Sequence, residues 1–433
     1  MGMSTFQIIV LGVCAALILI GVGVFASFGG LGNEDTVGDV TIWGTVDSSI
    51  MDRLISTMLS GDKAFSGVDY VEKSPTTYHA DIVNAMATGK APDLVFLSQE
   101  EIGIFEDKLL IIPYGMVSQA TFLSSFIDES QVFLTDEGEL ALPFMVDPVV
   151  MYWNRDLFSS AGVASPPKFW NDFLTLAPKM TSLDAGANIT KSAVGLGQWQ
   201  NVANAKAILS TLFMQAGDKV VVRKGSGDLE VVLGDVPTNA PSNPAESALR
   251  FYTEFTNPSK TTYSWNRTLP LSTTAFVAGD VAVYFGFASE YPSLAARNPN
   301  LPFAVARVPQ VEGSSIRATY GRLTGMVIPR NASNPNGAAQ IAQRLSSAES
   351  VSTLSALTGL PPVRRDVTIK TSDNAAMGVF VESALIARGW VDPDSTKTDA
   401  IFRTMIESVV SGRLDSGGAV NEASRAMEQL LKK

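Results

Sequence analysis

Between Asp39 and Leu97 short apolar runs alternate with helical spacings, and this alternation constrains the fold more than any single motif. Asp39 to Trp43 reads as a strand. From residue 48 to 59 apolar side chains fall at 50, 51, 54, 55, 58 and 59, a helical spacing that Asp47 is placed to cap. Val68 to Val71 reads as a second strand, Tyr78 to Ala87 as a second helix, and Asp93 to Leu97 as a third strand. This order predicts an α/β fold, a parallel sheet with helices on its faces. Ligands on open parallel sheets sit beyond the carboxyl ends of the strands. Those ends are Trp43-Gly44-Thr45 and Ser98-Gln99-Glu100, and Trp43, Ser98 and Gln99, with Asp47 nearby, are candidate ligand-binding residues. Ser98 with Glu101 also fits a helix capping box.

A chain of 433 residues has room for two domains. Residues 139–153 read as two strands joined by a connection bracketed by Pro143 and Pro148, a place for the chain to leave one domain and enter the next. Helical patterns dominate from 156 to 300, with strands at 219–222, 229–233 and 281–285. The segment 223–245 is rich in Gly, Asn, Ser and Pro and reads as hairpin and loop. Phe303 to Val308 reads as a strand ending at Pro309-Gln310, a second crossing point, and 324–329 as one more strand. The remainder is mostly helical, ending on 419–431, with no internal repeat.

The net charge of −11, with no basic stripe, argues against a nucleic-acid partner. One cysteine, Cys14, allows no intrachain disulfide. With one histidine, His79, a Cys/His zinc site is out of reach, and a Ser-His-Asp triad would have to use His79. No nucleophile elbow, phosphate loop or zinc-protease motif is present. No catalytic residue, metal or cofactor is therefore expected. Asp392, Asp394 and Asp399 resemble a calcium loop only in part, because the glycine and terminal glutamate are missing.

Residues 1–33 carry no charged side chain, and Ile8 to Phe28 is almost wholly apolar. At helical rise these 21 positions span roughly 31 Å, enough to cross a bilayer core. The expectation is a single-pass transmembrane helix through residues 8–28, in the cell membrane, with the rest outside the cytoplasm. The alternative is a signal peptide cut near Ala26 and a secreted chain.

Several segments taken in order resemble the extracellular solute-binding proteins of ABC importers, in the maltose-binding-like, sugar-binding group. Tyr152-Trp153-Asn154-Arg155-Asp156-Leu157-Phe158, then Pro166-Pro167 and Trp170 to Phe173, is similar to the group's Tyr-Asn-Lys-Asp-Leu-Phe signature. Phe276 to Gly286, Val308-Pro309-Gln310, Val327-Ile328-Pro329, Gly359 to Asp366 and Ser411-Gly412-Arg413 resemble later motifs. The resemblance covers most of residues 39–430. It implies a two-lobe, periplasmic-binding-protein-like fold (type II), each lobe a sheet flanked by helices, closing by hinge motion on a ligand. Lobe 1 would hold 39–147 plus about 310–345, and lobe 2 148–309 plus about 346–433. The implied ligand is a small solute, a sugar or oligosaccharide, and the implied partners are ABC permease subunits. An exported glycan hydrolase and a sensory protein signalling to a membrane kinase are the alternatives.

Rings cover the apolar faces of sugars, while carboxylates, amides and guanidinium groups take their hydroxyls. Trp43, Trp199, Trp265 and Phe287 are the candidate rings, and Asp47, Asp147, Glu290 and Arg322 the candidate charges. Tyr152, Ser289 and Tyr320 complete the ligand-binding set, with Ser98 and Gln99. Tyr152 and Trp153 alternate along a strand, so at most one faces a cleft. Asn154 is expected to cap the following helix, with Arg155 and Asp156 solvated on its first turn.

Overall fold

Two buried apolar clusters organise the chain, and one sheet runs through both. The computed structural model describes residues 37–224, 227–236, 243–370 and 374–432. The expected membrane segment at 8–28 and the cleavage site near Ala26 lie outside the described residues. Among the described residues no helix is long and apolar enough to cross a membrane.

The main strands are β1 (Val40–Gly44), β2 (Val68–Glu72), β3 (Leu94–Ser98), β4 (Leu142–Asn154), β5 (Ser182–Leu183), β6 (Ile189–Val194), β7 (Val281–Phe287), β8 (Phe303–Ala306), β9 (Thr319–Pro329) and β10 (Ala387–Arg388). Their order is β2-β1-β3-β9-β4-β7-β6-β5, with β8 against β4 and β10 against β9. β1 is parallel to β2 and β3, as the alternation predicts. Helices Ser48–Gly61 and Tyr78–Ala87 lie between these strands in sequence. Asp47 caps the first of them, its carboxylate accepting from Ser49 N at 2.8 Å.

β4 and β9 are long because each belongs to both lobes. Leu142, Phe144 and Val146 of β4 are buried in the first cluster; Val149 to Tyr152 are buried in the second. On β9, Tyr320 belongs to the second cluster, and Leu323 and Met326 to Ile328 to the first. Beyond β10 the chain passes from Ala387 of the first cluster to Trp390 of the second. The three passages meet side by side: Pro148 faces Gly321, Asp147 faces Arg322, and Tyr320 faces Arg388.

Three expectations need correction. Residues 142–154 form one strand rather than two. Pro143 and Pro148 lie in the half whose strand partner is β9, and a residue without an N–H is tolerated where a strand is paired on one side. The return to the first lobe comes at 320–323 rather than at 309–310, because Val308 still packs in the second core and Gln215 holds the carbonyls of Pro309 and Ala318. The first lobe also runs on to Val363. Val351 and Leu354 of helix Ala348–Thr358 fill its core, and Ser350 Oγ meets Met58 Sδ at 2.9 Å. A short amphipathic helix of this kind carries no signal for which of two cores it covers.

Candidate functional site

β3, β7 and β9 end or cross where the lobes meet, and they place Glu100, Phe287 and Arg322 around one cavity of about 420 Å³. Trp199, Asn204, Lys206, Ser395 and Asp399 line its other walls. Grooves of about 670 and 900 Å³ exist elsewhere, but their walls come from the second lobe alone. The smaller cavity is the candidate site because both lobes build it, so a change in their angle changes its shape.

Glu100 carries the first-lobe wall. Its carboxylate accepts from Tyr320 OH at 2.6 Å and from Arg322 Nε at 3.0 Å. The guanidinium lies 4.1 Å from the centre of the Phe287 ring, a cation–π contact between a crossing strand and the second lobe. Burial works against the charged form of Arg322, but Glu100, Tyr320 and Asp147 outweigh it and hold the group protonated. On the opposite wall Lys206 Nζ donates to Asp392 at 2.6 Å, to Thr398 at 2.7 Å and to Asp399 at 2.8 Å. Burial pulls Lys206 down, yet the two carboxylates leave its pKa above that of a free lysine. The half-buried Trp199 ring has the Arg403 guanidinium 5.9 Å away. The cavity thus offers fixed donors, fixed acceptors and an indole, a set suited to hydroxyl-bearing ligands.

Of the residues expected from sequence, Trp199, Phe287 and Arg322 reach this cavity. Tyr320 acts from behind, through Glu100. Glu290 also acts indirectly: it accepts from Tyr284 OH, Asn204 Nδ2 and Phe287 N, which sets Asn204 and Phe287 on the wall. Asp147 accepts from Ser289 N at 2.9 Å and joins the crossing strand to the second lobe. Burial pushes its carboxyl up to about 6.

The others do not line the cavity. Gln99 is fully buried and clamps β9, donating to Gly321 O and accepting from Leu323 N, both at 2.7 Å. Ser98 gives both its N–H and its hydroxyl to Glu101, which also takes His79 at 2.8 Å. Tyr152 is a core residue whose hydroxyl donates to Phe287 O; Trp153, on the opposite face, packs on Phe158. Trp265 is 1% exposed, with its indole N–H on Asn201. Trp43 is half-buried under Lys73 Nζ at 3.6 Å, and Asp47 is a helix cap. Strand ends are polar for two reasons, ligand contact and strand or helix termination, and the sequence pattern is the same for both.

Asn204 and Lys206 escaped sequence reasoning. Glu100 belongs with Ser98 and Gln99 to the strand end where ligands are expected, although it is not among the candidate residues. Lys206 had a signal from the other side: Asp392 and Asp399, the partial calcium-loop pattern, hold its ammonium instead of a metal ion. Asn154 Oδ1 accepts from Asp156 N and Leu157 N and caps the next helix, as its position predicts.

Known proteins are similar to this chain in sequence or in fold. A binding protein of Brucella abortus (strain 2308) is 22% identical over 323 residues, covering 72% of this chain and 72% of the relative. The cyclic α-maltosyl-1,6-maltose binding protein of Arthrobacter globiformis superposes with a TM-score of 0.75 at 17% identity, covering 91% of this chain and 99% of that one. An ABC transporter solute-binding protein of Thermotoga lettingae bound with α-D-tagatose gives 0.66 at 21%, covering 91% and 100%. UgpB of Mycobacterium tuberculosis in complex with glycerophosphocholine gives 0.69 at 17%, covering 91% and 98%. These likenesses establish the two-lobe fold. The sequence model of the bacterial extracellular solute-binding proteins matches residues 65–378, most of the described chain, and the protein belongs to that family.

Proposed function

We propose that this protein captures a small polyhydroxylated solute, a sugar or oligosaccharide, between its lobes outside the cytoplasm and delivers it to an ABC permease. Residues 8–28 would tether it to the membrane. The observation that carries the reading is the cavity shared by both lobes, where Arg322 is held by Glu100 and stacked on Phe287. A ligand touching both walls gains contacts only when the lobes are engaged. The difference in affinity between the two lobe arrangements is then what shifts the population. Relatives of this fold bind maltosyl sugars, tagatose and glycerophosphocholine, all ligands dense in oxygen.

The test is thermal-shift screening against sugars, oligosaccharides and glycerophosphodiesters, repeated with Arg322→Ala and Trp199→Ala. A ligand should raise the melting temperature of the unsubstituted protein, and each substitution should reduce that rise by tenfold or more in apparent affinity, about 1.4 kcal/mol. A panel without any hit, or hits indifferent to both substitutions, would overturn the reading.

A further inference from the structure

Glu129 occupies an unusual position for an acid. It lies in the 3-10 turn Asp128–Phe133 of the first lobe, is 1% exposed, and neither carboxyl oxygen has a hydrogen-bond partner among the described residues. Two of the three chain passages between the lobes lie against it. A methyl group at Gly321 of β9 would come within 2.1 Å of Glu129 Oε2, and one at Gly389, just past β10, within 2.7 Å of Oε1. The two glycines let the backbone close on the carboxyl. Each lies at a point where one core hands over to the other: Gly321 between Tyr320 and Leu323, Gly389 between Ala387 and Trp390.

The charged groups around it do not neutralise one another in favour of an anion. Arg388 of β10 favours the ionised form, but its guanidinium donates to Asp128, which also takes Arg365. Glu100 after β3 and Asp147 of β4 disfavour ionisation, and the nearby cation Arg322 is committed to Glu100. Gln99 is neutral and spends its amide on Gly321 and Leu323. Burial dominates and pushes the Glu129 carboxyl up to about 8.

We propose that hinge bending is coupled to the protonation of Glu129. The lobe arrangement described here keeps the acid neutral, and loss of its proton to water favours an arrangement in which the crossing layer loosens and solvent reaches the carboxylate. A carboxylate stripped of water and of donors is costly, whereas the neutral acid is not. Bending at Gly321 and Gly389 moves the very backbone that excludes water from it. The coupling is independent of which solute the cavity takes.

The test needs no solute. Spin labels go on Leu123→Cys of the first lobe and Leu271→Cys of the second, both exposed, in a full-length Cys14→Ser background. The interlobe distance is measured from about pH 5 to about pH 9.5, bracketing the titration. The ratio of short to long distances should fall as pH rises from about 5 to about 8, by up to about tenfold per pH unit, and level off above that, and Glu129→Gln should hold the short distance throughout. Carboxyl ¹³C NMR of the protein without Glu129→Gln covers the case in which that variant fails to fold. A glutamate carbon should then titrate with the same midpoint as the distance. A distance indifferent to pH, a Gln variant that follows the same pH course, or a carbon midpoint unrelated to the distance change would overturn the proposal.

Discussion

Two buried titratable sites are built in opposite ways. At Lys206 the charges are complete: one ammonium meets two carboxylates and a hydroxyl, all within 2.8 Å. At Glu129 neither carboxyl oxygen has a partner among the described residues, and the backbone at Gly321 of β9 and at Gly389 just past β10 closes on the carboxyl. The Lys206 group joins helix Ala205–Ala216 to helix Ser395–Val410 within the second lobe. Glu129, in the first lobe, lies against two of the crossings. A satisfied pair fixes geometry, because breaking it strands a charge, while an unsatisfied acid keeps its structure conditional on a proton.

The largest expected effect tests the satisfied side. Lys206→Met leaves Asp392, 1% exposed, without its cation, and should cost about 3–5 kcal/mol in urea unfolding. A loss below about 1 kcal/mol would mean that the cluster does not hold those helices together. Trp265→Ala and Trp199→Ala form the next pair. The core indole should cost about 3–5 kcal/mol, and the cavity indole less than about 1 kcal/mol of basal stability.

The unsatisfied side shows in pH. The Glu129 carboxyl is held up to about 8 when folded but titrates as an ordinary glutamate when unfolded. Its contribution is therefore complete at low pH and is lost as pH rises through about 8. Buried Glu139 and Asp218, each pushed up to about 7 by burial, act with the same sign. Chemical denaturation should show stability declining from about pH 5 upward by a few kcal/mol, with Glu129→Gln removing the portion nearest pH 8. Stability that rises over that range would break the contrast.

The smallest effect concerns the far rim. The hairpin Val221–Arg223 and Leu229–Val231 packs in the second core, yet Arg223 Nη1 reaches Glu106 Oε1 of the first lobe at 2.5 Å. Glu106→Gln should change stability by about 1 kcal/mol or less while lengthening the interlobe distance. An unchanged distance would show that this ion pair follows lobe contact and does not hold it.

Much of the fold was legible because its signals are local. The β1–β3 alternation, the Asp47 and Asn154 caps and the helices Ser48–Gly61 and Tyr78–Ala87 each depend on spacing within one segment. The crossings were harder. Prolines at 143 and 148 read as a break, although one strand carries both, because sheet pairing on one side tolerates them. In the candidate site, rings were easier to propose than to place. Trp199 and Trp265 look alike in sequence, yet one lines the cavity and the other is sealed against Asn201.

By itself the sequence determined the element types, their alternation and the family signature, since periodicity, capping and turn residues act over a few positions. The tertiary structure alone decided which strand-end residues face the cavity, which core the 348–358 helix fills, and that Asp392 and Asp399 bind an ammonium. Those outcomes join residues 186 to 292 positions apart, and the free energy of burial and pairing that selects them exists only once distant segments meet.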